Sequence, residues 1–254
     1  MLLVIDVGNS ETSFGVYDAE KCVRHWRVQT SRLMTADEVA SFFFPLAEQS
    51  GLKPQSWSGC CIATVVPNVG DSLREFADHY LGLKIITINH QMNLGFELNV
   101  DEPHSVGADR LANVAYAVKS MSLPCIVIDV GTATTLDVIS KDRVYEGGVI
   151  LPGIKMSSEV LSDRTAKLPR VSLDFPDKVI GKTTVACLQS GLLYGYCDML
   201  DGLVDRIEKE LGTRVSVVLT GGFAPRLKGR LRHIADAIPQ LTLDGICLLY
   251  LRNI

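Results

Sequence analysis

The chain opens on an uninterrupted apolar run, Leu2-Leu3-Val4-Ile5, that closes on Asp6. Its length and Val/Ile content predict a strand over Leu2–Asp6 buried on both faces. Gly8-Asn9-Ser10 is a turn signal, and Thr12 to Tyr17 and Val23 to Gln29 then resume strand-like patterns. Thr35 and Glu38 have capping-box spacing, with Val39, Phe42, Phe43 and Leu46 following on one face. A helix therefore starts near Thr35, and Pro45 leaves its end open. A strand over Cys60–Val66, a helix from Pro67 to about Leu81 and a strand over Leu83–Ile88 complete a β-β-β-α-β-α-β order. Residues 89–106 are polar and carry Pro103, which predicts a loop.

After a predicted helix over Ala108–Ser120 the opening pattern returns. Pro124 to Asp129 reads as a strand, Gly131-Thr132 as a turn, Thr135 to Ile139 as a second strand and Val144 to Ile150 as a third. Helices are predicted over 153–162 and 184–211, where Val185, Leu188, Leu192, Leu203, Ile207 and Leu211 supply an apolar face. Val215 to Leu219 is a strand ending in Thr220-Gly221-Gly222, and the apolar tail Ile246–Leu251 has no decisive period. Val4-Ile5-Asp6-Val7-Gly8-Asn9 overlays on Val127-Ile128-Asp129-Val130-Gly131-Thr132 at an offset of 123 residues, putting Thr12 on Thr135 and Val16 on Ile139. The same strand–turn–strand context twice, almost half a chain apart, predicts an internal duplication. The expected architecture is two similar α/β domains around a cleft, residues 1–106 and 107–254.

Composition narrows the partners. With 254 residues, 47% apolar and 21% charged, the chain can bury a substantial core and is too hydrophobic for a disordered protein. A net charge of −4 without any block of Lys or Arg argues against nucleic-acid or membrane-surface partners and for a small molecule. Seven cysteines without a CxxC pair suit reduced thiols of a cytoplasmic protein rather than a disulfide frame or a zinc site. The N-terminus has no basic lead-in, so no signal peptide is expected, and no run approaches the ~18 apolar residues of a membrane span. The five histidines are scattered without ligand spacing.

Asp6 and Asp129 each end an apolar strand, where a carboxylate needs a cation, a metal-bound water or several donors. The glycine two residues later lets the backbone turn sharply. Asn9-Ser10-Glu11-Thr12-Ser13 and Thr132-Ala133-Thr134-Thr135 then offer N–H groups and hydroxyls that could cradle phosphate oxygens. The plainer reading of either motif is a capped hairpin with a structural Asp. Thr220-Gly221-Gly222 is a further candidate nucleotide contact. Gly181-Lys182-Thr183 resembles the end of a P-loop, but Pro176 stands where its first glycine belongs, so that reading fails. Asp109 opens a predicted helix, either as a first-turn acid complementing the dipole or as an acid–base carboxylate beside Arg110.

Together these segments resemble the type III pantothenate kinases. The resemblance is carried by Asp6-Val7-Gly8-Asn9-Ser10, Gly107-Ala108-Asp109-Arg110, Asp129-Val130-Gly131-Thr132-Ala133-Thr134-Thr135, Glu146-Gly147-Gly148 with Ile150 and Pro152-Gly153, Gly181-Lys182-Thr183-Thr184, and Thr220-Gly221-Gly222. It implies a duplicated ribonuclease-H-like fold of the actin-like ATPase and acetate–sugar kinase superfamily. It also implies ATP-dependent phosphorylation of pantothenate, the first step toward coenzyme A, by a homodimer using Mg²⁺ and a monovalent cation, K⁺ or NH₄⁺. Carried over by position, Asp6, Val7, Gly8, Asn9, Ser10, Glu11, Thr12 and Ser13 form the first ATP-phosphate loop, and Thr132 also contacts ATP. Asp129 binds the monovalent cation, and Asp109 is the proton acceptor. Gly107, Ala108, Asp109 and Arg110 line the substrate pocket, and Thr184 contacts substrate from the neighbouring subunit. Ser10, Thr183 and Val100 depart from the family's common Thr, Asn and Tyr. Two other readings keep the fold but change the activity: a nucleotide-binding accessory of transcription, or a kinase acting on a sugar or an acetate-like acid.

Overall fold

The structure is a computed structural model that describes residues 1–31, 34–54 and 57–254. Its elements run β1 (Leu2–Val7), β2 (Glu11–Asp18), β3 (Lys21–Gln29), α1 (Ala36–Gln49), β4 (Gly59–Thr64), α2 (Pro67–Leu81), β5 (Ile85–Thr87), β6 (Glu97–Leu98), a 3₁₀ turn (Pro103–Ser105) and α3 (Ala108–Ser120). There follow β7 (Cys125–Val130), β8 (Ala133–Ile139), β9 (Val144–Pro152), α4 (Ile154–Asp163), α5 (Thr184–Leu211), β10 (Ser216–Thr220), α6 (Ala224–Leu227), β11 (Ile234–Ala237) and α7 (Leu241–Arg252). Two compact units result: Met1–Ser120 with Gln240–Ile254, and Met121–Pro239.

In the first unit the sheet order is β3-β2-β1-β4-β5, with β1 antiparallel to β2 and parallel to β4. Alternation along β1 explains its unbroken apolar run. Leu3, Ile5 and Val7 pack with Val39, Phe43, Leu73 and Phe76 of α1 and α2, while Leu2 and Val4 pack with Leu111, Ala112, Leu243 and Ile246 of α3 and α7. Phe43 centres the first cluster, its ring 5.2–5.9 Å from those of Phe14, Trp26, Trp57 and Phe76. The capping box at Thr35 is present in both directions. Pro45 lies inside α1 without ending it, because it and Ser41, whose carbonyl loses a partner, are exposed to water.

The apolar tail is helix α7. Gly245 brings it against α3: the Ala112 carbonyl oxygen stands where a side chain at 245 would begin. The buried Thr242 hydroxyl donates to Asn113 Oδ1 at 2.8 Å, and Tyr17 donates to Asp244 Oδ1 at 2.6 Å. α3 therefore belongs to the first unit and the chain returns to it at residue 240. The expected boundary at 106/107 falls before α3, whereas the compact units divide after it. The reason is that the apolar face of α3 is completed by a helix more than a hundred residues away in sequence.

The second unit repeats the plan, its strands ordered β11-β10-β7-β8-β9. β7 is antiparallel to β8 and parallel to β10. Ile126, Ile128, Leu136, Val138, Val217 and Leu219 pack on α4, α5 and α6 through Ile154, Leu193, Leu200 and Leu227. The repeat is not uniform in offset. Val7 pairs with Thr12, whereas Val130 pairs with Thr134. The counterpart of Thr12 is thus Thr134, both fully buried, and not Thr135. The second turn holds one residue fewer, so a constant offset of 123 holds only up to the turn. The sequence pattern also missed β11 and α6, both four residues long, and β6 with two, all too short for a period to show.

Candidate active site

The first Asp–Gly turn joins β1 to β2. Gly8 N donates to Glu11 O at 3.0 Å, closing it. Thr30, just past β3, clamps it from beneath: its N–H donates to Ser10 O at 2.9 Å and its hydroxyl to Gly8 O at 2.8 Å. That hydroxyl has one proton, so at 2.9 Å it accepts from Thr12. Of the expected phosphate-loop residues, Thr12 therefore has its side chain turned into the core, while Asn9, Ser10 and Glu11 are exposed and Ser13 is half-buried. Glu11 pairs with Arg27 at 3.3 Å. Thr30 was missed from sequence because its partners lie across the sheet.

The Gly107–Arg110 segment lies at the same edge of this sheet. Val65, which follows β4, donates its N–H to Val7 O at 3.2 Å, and its side chain is 3.6 Å from where a Cβ on Gly107 would stand. The end of β1 and the start of α3 thus both border Val65, beyond the carboxyl ends of two parallel strands, the usual ligand position in α/β sheets. Gly107 O accepts the first helical bond, from Leu111 N at 3.1 Å. Asp109 folds back over Gly107, leaving no space for a side chain there, and its Oδ1 accepts from Arg110 N at 2.8 Å. Burial pushes the Asp109 carboxyl above the usual aspartate range, against the opposing pull of the Arg110 N–H and guanidinium. An Asp with a helix N-terminus beneath it and a raised pKa is suited to taking a proton.

In the second unit, three glycine segments converge on the turn after Asp129. Gly131 N donates to Ala133 O at 3.2 Å, and Gly153 N donates to Thr132 O at 3.0 Å. The carbonyl oxygens of Gly131 and Thr132 fill the place of a side chain at 153. Gly221, at φ +92°, lies so close that a Cβ would be 2.5 Å from Asp129 Oδ1 and 2.7 Å from Val130 N. The motifs quoted from sequence around Asp129, Pro152-Gly153 and Thr220-Gly221 are therefore one assembly. Thr134 does not face outward: its buried hydroxyl bonds the Tyr196 hydroxyl of α5. Asp137, fully buried, accepts from Tyr145 at 2.9 Å and was not singled out from sequence. Thr184 is exposed at the first turn of α5, behind Thr183, whose side chain caps the helix by accepting from Ala186 N. Asn is an equally good cap, so the Thr183 departure preserves the local structure.

One group looks like a metal site by proximity: Asp205, Glu208 and His233, with ligand atoms within 4.8 Å of one another. Its carboxylates are already engaged. Asp205 is held by Arg232 at 2.9 Å and His233 at 2.8 Å, and Glu208 by Arg214 at 2.7 Å and Val215 N at 3.0 Å. This is an ion-pair network. Among the described residues no helix is long and apolar enough to cross a membrane.

A three-stranded antiparallel segment continued by parallel strands, built twice and each time carrying an Asp–x–Gly turn after its first strand, is the duplicated ribonuclease-H-like fold of actin-like ATPases and acetate–sugar kinases. The likeness extends to solved structures. A Campylobacter jejuni protein described as a Baf family transcriptional activator superposes with a TM-score of 0.63 at 18% identity, over 99% of this chain and 98% of that one. The activator of 2-hydroxyisocaproyl-CoA dehydratase from Clostridium difficile, solved with bound ADPNP, gives 0.56 at 12% identity, over 98% and 93%. At such identities the likeness is one of fold. Sequence goes further: the family profile described as Type III pantothenate kinase matches residues 2–206. A Type III pantothenate kinase of Anaeromyxobacter sp. (strain K) is 43% identical over 253 residues, all of both chains. The chain belongs to the type III pantothenate kinase family.

Proposed function

We propose that this protein transfers the γ-phosphoryl group of ATP to pantothenate, the first step of coenzyme A biosynthesis. The observation that carries the reading is the placement of Asp109: a half-buried carboxylate with a raised pKa, at the same end of the first sheet as the Asp6 turn, in a chain aligned end to end with a Type III pantothenate kinase. The ADPNP bound in the Clostridium difficile structure supports nucleotide binding by this fold.

The donor set suits Mg²⁺–ATP. Asp6 with the exposed Ser10 and Asn9 offers hard oxygen ligands and N–H groups on a tight turn. Mg²⁺ would neutralise charge on the phosphates. Residues 6–13 would hold the triphosphate, with Thr12 acting through the Thr30 clamp, and Thr132 would also contact ATP. Asp129, whose Oδ1 lies against Gly221, would hold K⁺ or NH₄⁺. Gly107 to Arg110 would bind pantothenate, with the Arg110 guanidinium suited to a carboxylate, and Thr184 would reach substrate from the neighbouring subunit. Asp109 would take the hydroxyl proton as the oxygen attacks phosphorus. A positioned base of this kind contributes roughly 10²–10⁴-fold.

We also infer a cytoplasmic homodimer. On the second unit Val160, Val179, Ile180 and Val185 are 44–75% exposed, and Gly191 and Gly195 of α5 have open space above them. Exposed apolar side chains of this kind suit an interface.

The test is ADP release over a panel of acceptors with K⁺ or Na⁺ as the only monovalent ion. Pantothenate-dependent release, faster in K⁺, is expected. Response to a sugar alone, or nucleotide binding without any acceptor-dependent release, would overturn the reading.

A further inference from the structure

Strand alternation puts an unassigned side chain beside Asp129. In β7, Ile126, Ile128 and Val130 face the helices of the second unit, so Asp129 faces the other way. In β10, Val217 and Leu219 face those helices, so Thr220 shares the face of Asp129. The two residues are directly paired in the parallel ladder, and Thr135 is paired with Asp129 on its other side. The result is a row of three oxygen-bearing side chains across adjacent strands, about 4.8 Å apart.

Thr220 is the odd member. It is 1% exposed, and its Oγ1 has no hydrogen-bond partner among the described residues. A buried hydroxyl left in that state costs stability unless a ligand completes it. The next residue, Gly221, is the one whose left-handed backbone abuts Asp129 Oδ1. Large monovalent cations are coordinated by neutral oxygens such as carbonyls and hydroxyls, with little formal charge. A hydroxyl abreast of a single carboxylate, ringed by glycine backbone, has that chemistry.

We propose that Thr220 Oγ1 is a second protein ligand, beside Asp129, for a monovalent cation of the size of K⁺. The proposal rests on the reading of Asp129 as the cation ligand. It makes Thr220 a positioning residue, not one that touches the reacting atoms.

Thermal unfolding of the full chain with saturating Mg²⁺–ADPNP, as KCl replaces choline chloride at constant ionic strength, tests it without turnover. The wild type is expected to gain stability with K⁺ in a saturable way. Thr220→Val keeps the side-chain shape and is expected to fold in choline as well as the wild type. Its K⁺ midpoint is expected to rise at least roughly tenfold, and Thr220→Ser to return it to within about twofold. Should the Val variant not fold, Thr220→Ala reads the same midpoint. A wild-type midpoint in Thr220→Val or Thr220→Ala overturns the proposal and leaves Asp129 untouched. A wild type without any K⁺ response, or an Asp129→Asn variant that keeps it, overturns the Asp129 reading and the proposal with it.

Discussion

A carboxylate that must be ionised to work, yet is lifted by burial above the ordinary aspartate value of 3.8, has opposite effects on activity and stability. Because Asp109 holds its proton more tightly when folded than unfolded, the folded state binds more protons between the two pKa values. Stability therefore falls as pH rises through the folded pKa, and at neutral pH the partly desolvated charge is a cost. Asp109→Asn removes that charge while its amide oxygen can still accept from Arg110 N. Turnover is expected to fall at least about 100-fold with ATP binding retained by calorimetry, while the urea midpoint at pH 7 stays level or rises. The acid limb of the wild-type kcat/KM profile is expected above the usual carboxylate range and absent from the variant's residual activity. A variant with near-normal turnover, or with the limb intact, would show that Asp109 is not the base. Asp109 was legible as a candidate from its place in Gly107-Ala108-Asp109-Arg110. Its raised pKa was not, since that depends on what surrounds it. The inward turn of Thr12 onto Thr30 was equally hidden, because eighteen residues separate partners that the sheet sets side by side.

Among the elements, strands and helices with a clear period emerged close to where the pattern placed them, including α2 from Pro67 to Leu81 and α5 over 184–211. Caps and turns carry their own local chemistry, so they are readable without the fold. α7 was not readable: Ile246 to Leu251 is apolar on every side, and only its position between β1 and α3 shows why. Gly245 is the point of closest approach. Gly245→Ala is expected to force α7 away from the Ala112 carbonyl and to destabilise the protein by about 1–3 kcal/mol, read as a lower urea midpoint. An unchanged midpoint would mean that the contact relaxes freely.

For the whole molecule, the duplication was visible as two copies of V-I-D-V-G, but the two turns differ in build. One turn is clamped by Thr30 and lies at the edge shared with α3; the other is one residue shorter, crowded by Gly153 and Gly221. The exposed apolar side chains of the second unit are where the proposed dimer is tested. Ile180→Asp, at a site 75% exposed, is expected to shift a dimer toward monomer in sedimentation velocity with unchanged circular dichroism. A monomeric wild type, or a variant that remains dimeric, would remove this surface from the interface.

By itself the sequence determined the alternation of strands and helices, the two Asp–Gly turns, the order of motifs and, through them, the family. These are local or linear properties, set by side-chain period and backbone preference over a few residues. Tertiary structure decided that the last helix completes the first unit, that Asp109 is partly withdrawn from water, that Thr134 and not Thr135 answers Thr12, and that Thr220 stands beside Asp129. Each depends on which distant strands and helices become neighbours, and burial and pairing between distant segments exist only once the chain has folded.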